Sequence, residues 1–346
     1  MTNKNSENNG FASLLSDHST SSIVGGLVGV LVGDALGVPY EFHPPEDLPR
    51  RDLIEMEPPT GFHCAHSGVP AGYWSDDGSQ TLCLLASLLE CGKFSLPDFA
   101  DRLLRWYDEG YLAVDGHVYD IGLQTADALD RLRDGVLPTE SGGTSVRDNG
   151  NGSLMRVLPL ALWHTGTDED LVHDAHSQSL VTHAHPRSLV ACGLYVLVAR
   201  GYLHQLADPW GWADNRLEEI YNGFAGQEGQ ALLRELDVLR SFAKTNKPKG
   251  SGYVLDTIWS TRMAMEEETF EDVVKTAILF GHDTDTTAAV SAGLAGLRHS
   301  LEGIPVRWLA TLRGFELAGP LITKFMDQKT ERKAGRSLVP EVGAGR

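Results

Sequence analysis

Asp283-Thr284-Asp285-Thr286-Thr287-Ala288-Ala289-Val290-Ser291-Ala292-Gly293-Leu294-Ala295-Gly296-Leu297-Arg298 carries both a packing signal and a chemical one. From Thr287 to Arg298 the small residues Ala288, Ala289, Ala292, Gly293, Ala295 and Gly296 recur at helical spacing. Small side chains on a helix let a second backbone approach closely, which suits a central helix in a compact bundle. It is read as the last helix of the chain. Ahead of it stand two carboxylates, where one is enough to cap a helix and complement its dipole. A second such cluster, Ser75-Asp76-Asp77, lies far upstream, also just before a helical run. Two ordinary caps would account for either cluster alone. If they meet, four like charges repel unless a cation neutralises them, and hard oxygen donors without Cys or His suit Mg²⁺ or Mn²⁺ better than zinc.

Outward from these clusters the period is helical almost everywhere. Thr81–Glu90 places Leu82, Leu85 and Leu89 on one face and Gly92 supplies a stop. Ser95 and Pro97 open a further helix with Phe99, Leu103 and Trp106 in a stripe. Thr125–Leu132, Leu189–Arg200, Gln230–Phe242, Tyr253–Met265 and Phe270–Phe280 behave alike, and few runs alternate with period two. The expectation is an all-α fold: one compact multi-helix domain over 22–326, with a flexible N-terminal extension at 1–21 and a frayed tail at 327–346. Long loops at Pro44–Gly72, Ser141–Ser153 and Ala243–Gly252 favour function over plain connection. The last of these is the one local basic patch.

At 346 residues the chain can bury a substantial core, and its 42% hydrophobic and 22% charged content is that of a soluble globular protein. Lys plus Arg number 29 against 47 Asp plus Glu, a net charge of −18, which argues against nucleic-acid binding. An anionic substrate would need a local reversal of that field. Cys64, Cys83, Cys91 and Cys192 form no C-x-x-C pair, as expected of reduced cytosolic thiols. The apolar run Ile23–Gly33 is read as ending at Asp34, too short to span a bilayer. No export signal is visible at the start, so no membrane partner and a cytoplasmic location are expected.

Six further segments occur in order: Ile23–Phe42, Trp74-Ser75-Asp76-Asp77, Tyr119-Asp120-Ile121-Gly122, Asn149–Arg156, Thr182-His183 and Gly281–Thr286, with Gly252-Tyr253-Val254 between the last two. Singly they are weak. Together they resemble the ADP-ribosylglycohydrolase family, which includes dinitrogenase reductase-activating glycohydrolase and the ADP-ribosylarginine hydrolases. The resemblance spans roughly 22 to 300 and implies a single all-α domain with a two-metal site. It implies that Ser75, Asp76, Asp77, Asp283, Asp285 and Thr286 hold two Mg²⁺ (or Mn²⁺). Gly78-Ser79 departs from the Thr that commonly follows in the family, which alters the helix start but removes no ligand. Glu41, Asp77 and Asp120 are the implied catalytic residues, although Asp120 also suits a cap for the helix near Thr125. Asn149, Gly150, Asn151, Gly152 and Ser153 are implied contacts of pyrophosphate and ribose, since glycines let N–H groups converge on an anion. His183 is an implied substrate contact. Tyr253 could stack on adenine or simply pack in the core. Asp34 reads as a structural group bonding backbone, and His63, His66, His185 and His282 as structural. His63-Cys64-Ala65-His66 lacks a fourth ligand for a soft metal.

The resemblance implies hydrolysis of the N-glycosidic bond between ADP-ribose and a protein arginine, by a metal-activated water. The partner is then an ADP-ribosylated protein. Alternatives are an immunity protein whose 1–21 arm blocks an ADP-ribosyltransferase toxin, and a hydrolase of serine-linked or free ADP-ribose derivatives.

Overall fold

Two helices meet back to back at the centre of the molecule. Numbering the helices in chain order, these are α2 (Ser21–Gly37) and α13 (Thr284–His299). Their contact depends on missing side chains. A Cβ on Gly25 would lie 2.5 Å from the Gly296 carbonyl oxygen, and one on Gly29 or Gly33 would lie 2.4 Å from that of Ala292 or Ala288. One on Gly37 would reach within 2.4 Å of the Asp285 Cα. Glycines four apart on α2 thus face small residues four apart on α13, and the helices run antiparallel with backbones touching. At one end of this seam the sequence turns acidic, so the packing delivers Asp285 beside the end of α2.

The computed structural model describes residues 10–13, 21–224 and 226–337, with backbone alone at 228 and 333–337. Around the central pair stand α3 (Asp76–Cys91), α4 (Leu96–Glu109), α5 (Leu123–Arg133), α6 (Leu158–Trp163), α7 (Asp168–Leu180), α8 (Pro186–Leu203), α9 (Pro209–Gly223), α10 (Gly226–Thr245), α11 (Val254–Ala264) and α12 (Phe270–Leu279). No strand occurs among the described residues; isolated bridges join Gly143 to His183 and Gly150 to Tyr253. The all-α architecture agrees with the helical period of the sequence.

Four expectations change. Asp34 does not end the first apolar helix: α2 continues to Gly37 with Asp34 fully buried. The extended run Ser21–Tyr40 is long and apolar enough to cross a membrane, yet most of it is buried in the bundle as a core helix. Thr287–Arg298 is not the last helix, because α14 (Val306–Thr311) and α15 (Phe315–Ser337) follow. Part of the expected tail, 327–337, is therefore helical, while 338–346 lie outside the described residues. Within the expected extension, α1 (Gly10–Ser13) packs on α14 and α15, and Phe11 is buried edge-on against Phe315, ring centroids 4.9 Å apart. The rest of 1–20 is outside the described residues.

Candidate metal centre

Asp34 organises one half of the centre. Its carboxylate accepts the backbone N–H of Ser75 at 2.8 and 3.0 Å and that of Gly78 at 2.7 Å. The turn that starts α3 is thereby pinned to α2, as a backbone-bonding role for Asp34 requires. Ser75 stands at the N-cap without a capping bond, and so does Asp283 ahead of α13. The two-caps explanation of the acidic clusters therefore fails. Instead the Ser75 hydroxyl lies 3.4 Å from carboxylate oxygens of Asp76, Asp77 and Asp285 alike. Thr286 donates its hydroxyl to Asp77 Oδ2 at 3.3 Å and its N–H to Asp285 Oδ1 at 2.8 Å. The clusters at the two ends of the sequence are one site.

Backbone pairing brings in Glu41. Phe42 N–H donates to the His282 carbonyl at 2.6 Å, and His282 N–H to the His43 carbonyl at 2.7 Å. Phe42, Asp120 and His282 all hold positive φ without being glycine (62°, 55° and 60°), a concentration of strained backbone of the sort found at functional sites. Carboxylate oxygens of Glu41, Asp283 and Asp285 lie within 4.8 Å of one another, as do those of Asp34, Asp77 and Asp285. Glu41 Oε2 also meets His66 Nε2 at 2.6 Å, and that nitrogen stands 3.8 Å from Asp120 Oδ1.

Asp120 does not cap the following helix, whose N-cap is Gly122 with no side-chain bond. It joins Glu41 and His66 in a third acidic group. His66, read from sequence as structural, is thus a member of the site. Its two partners are remote in sequence and no local pattern marks it. Neither His63 nor Cys64 belongs to a ligand group among the described residues.

The electrostatics are adverse to a bare cluster. Burial, then the neighbouring carboxylates, holds Asp76, Asp77 and Asp285 well above the usual carboxylate range. The same causes push Glu41 up to about 11, and burial carries Asp34 to about 7. Asp77 Oδ1 is buried with no hydrogen-bond partner. An orphaned carboxylate oxygen among convergent acids and two neutral hydroxyls is a donor set that fits hard divalent cations. The acidic clusters are able to bind metal.

The glycine-rich loop forms the neighbouring wall. Asn151 N–H donates to the Gly252 carbonyl at 3.1 Å and Val254 N–H to the Asn149 carbonyl at 3.0 Å. Asn151 Nδ2 donates to Asp283 Oδ2 at 2.7 Å and to Thr257 Oγ1 at 3.0 Å. Asn149 spends its side chain inside the protein, on the Val146 carbonyl and the Ser188 hydroxyl. Ser153 is turned fully into the core, its hydroxyl bonded by Ser179 at 2.7 Å. The side chains of Asn149 and Ser153 are thus engaged within the protein.

Gly150 and Gly152 face the His183 ring: a Cβ on either would lie 3.3 Å from Nε2 or 3.0 Å from Cε1. Arg156 Nη2 donates to the Thr182 hydroxyl at 2.8 Å, and that hydroxyl lies 2.7 Å from His183 Nδ1. His183 Nε2 lies towards the loop at Gly150. Burial, aided by Arg156, pushes His183 down to about 3, so the ring is neutral. Tyr253 packs edge-on against Phe242 and bonds Arg187 Nη1 at 3.0 Å while remaining partly exposed.

The ADP-ribosylglycohydrolase family model matches residues 16–337. The chain belongs to the ADP-ribosylglycohydrolase family. It is 28% identical over 290 residues to ADP-ribosylarginine hydrolase Tri1 of Serratia proteamaculans, covering 83% of this chain and 74% of that one. It is 27% identical over 323 residues to ADP-ribosyl-[dinitrogen reductase] glycohydrolase of Rhodospirillum rubrum, covering 91% and 93%. A solved ADP-ribosylglycohydrolase-related protein complex superposes with a TM-score of 0.66 at 29% identity, covering 89% of this chain and 98% of that one. Membership supports cleavage of an ADP-ribosyl glycosidic linkage.

Proposed function

We propose that this ADP-ribosylglycohydrolase releases ADP-ribose from modified protein arginines, using two Mg²⁺ or Mn²⁺ held by Ser75, Asp76, Asp77, Asp283, Asp285 and Thr286. The observation that carries the reading is the convergence of both acidic clusters with Glu41 at the end of the α2–α13 seam. The arginine linkage is supported by the relatives named for it. Bound divalent ions supply Lewis acidity and lower the pKa of a water.

The chain's own residues do the rest. Asp34 fixes the Ser75–Gly78 turn, so the donors are held in place before substrate arrives. Asn151 orients Asp283 and links it to the loop against which pyrophosphate and ribose would lie. His183 turns its neutral ring, at Nε2, towards that moiety. Glu41, Asp77 and Asp120 surround the anomeric carbon with negative charge, which favours an oxocarbenium-like transition state. His66 holds Glu41 and stands beside Asp120, the pair that would move the proton of the attacking water. As the C–N bond breaks, the cationic guanidinium departs neutral, which lessens the need for a strong general acid. The substrate is an ADP-ribosylated protein, in the cytoplasm.

The test is release of ADP-ribose from arginine-modified and serine-modified protein, with and without chelator. Release from the arginine linkage, lost in chelator, is expected. Release confined to the serine linkage would overturn the acceptor assignment.

A further inference from the structure

A cavity of about 530 Å³ opens between α8, α9, α10 and α11, lined by no residue of the metal centre. Its floor is apolar, from Leu194, Leu239, Leu255 and Ile258, and it is walled by Trp210 and Trp259. The Arg262 guanidinium stands over both indoles, 5.7 and 6.0 Å from the ring centroids. Among the described residues it has no carboxylate partner, whereas nearby Arg240 is spent on Asp214 at 2.9 Å and Glu218 at 2.7 Å. Lys244 also lines the cavity, and it begins the one basic run of a chain that carries −18 overall. Of the charges at the cavity, Asp214 is neutralised by Arg240, so Arg262 and Lys244 outweigh Glu266. A mostly apolar pocket of this size with a few convergent polar groups is the shape of a small-molecule site.

We propose that this cavity is a second binding site, for a small anion with a flat aromatic body. The ring would lie between the indoles, and its sulfonate, carboxylate or phosphate would meet Arg262 and Lys244. One loop runs from the wall of this cavity to the metal centre. Trp259 Nε1 donates to the Asn246 carbonyl at 3.0 Å. The loop that follows accepts Asp283 N–H at Gly250 (2.8 Å) and Asn151 N–H at Gly252 (3.1 Å).

The test is calorimetric titration of the whole protein, with Mg²⁺ present, against naphthalene-1-sulfonate and the neutral naphthalene-1-methanol. Wild type is expected to bind the sulfonate saturably. Arg262→Gln and Lys244→Gln, both exposed positions, should each weaken it by about tenfold and leave the alcohol unchanged. Ala243→Trp, filling the mouth, should abolish both, and Asp77→Ala should leave both intact. No saturable binding by wild type, or equal sulfonate affinity in wild type and both charge variants, would overturn the proposal. So would loss of binding in Asp77→Ala, which would put the ligand at the acidic centre. None of these outcomes depends on the arginine linkage.

Discussion

Asn151 Nδ2 reaches Asp283 Oδ2 at 2.7 Å across 132 positions of sequence, and this one bond ties the glycine-rich loop to the acidic centre. It makes the loop that would cradle pyrophosphate and the carboxylate that would hold a cation a single mechanical unit. Replacing Asn151 by Ala removes the donor that orients Asp283. Partners behind a metal ligand are worth about 10–100-fold in metal affinity or activity. Mn²⁺ affinity and kcat/KM are therefore expected to fall together by that factor, with thermal stability in chelator little changed. A fall in kcat/KM with Mn²⁺ affinity intact would contradict the linkage.

His66 should act through Glu41. In His66→Ala, Glu41 loses its 2.6 Å partner. Steady-state kinetics should show kcat reduced by about tenfold, less than the loss of a positioned acid or base itself costs, with KM nearly constant. A pure rise in KM would place His66 in substrate binding instead.

The central seam gives a stability prediction with a built-in control. Gly33→Ala drives a methyl to 2.4 Å from the Ala288 carbonyl oxygen, backbone that cannot yield cheaply. Overpacking of this kind costs about 1–3 kcal/mol. Gly223→Ala, at the end of α9, meets nothing within 4 Å. It should be neutral or stabilise by up to about 1 kcal/mol. Urea unfolding of both variants checks the pair, and equal midpoints would mean that the helices are not in backbone contact.

Acid should unfold the protein through buried histidine. Burial pushes His176 and His183 down to about 3, and His176 sits against the Tyr221 hydroxyl at 3.0 Å. With the folded pKa below the unfolded value near 6.5, the unfolded chain binds the extra protons. Stability is therefore full above that value and lost as pH falls from 6.5 towards 3. The slope approaches about 1.4 kcal/mol per pH unit for each histidine. His176→Gln should remove one share of that slope in urea titrations at pH 6.5 and 5; an unchanged slope would count against a neutral buried ring.

Much of the fold was legible because amphipathic periods survive in α3, α4, α10 and α12, because α8 and α11 are long, mostly apolar helical runs, and because the small-residue spacing of α13 states its close packing directly. What escaped has physical reasons. α7 mixes four carboxylates and two histidines into a narrow apolar stripe. α15 carries an internal Pro320 and a charged second half, which read as an ending. Asp34 looked like a stop because a carboxylate ordinarily ends an apolar run. Three bonds from two backbone N–H groups on another helix make its burial tolerable, and those lie far along the chain. The acidic clusters were legible as chemistry. His66, and the inward turn of Asn149 and Ser153, were not, since each depends on partners that only the fold supplies.

The most direct test is anomalous diffraction from crystals soaked in Mn²⁺. Two manganese peaks are expected, within coordination distance of Asp76, Asp77, Asp283 and Asp285, with none at that position in Asp77→Ala. A fully soaked crystal of active enzyme with no manganese between these aspartates would contradict the claim that the two clusters form one cation site.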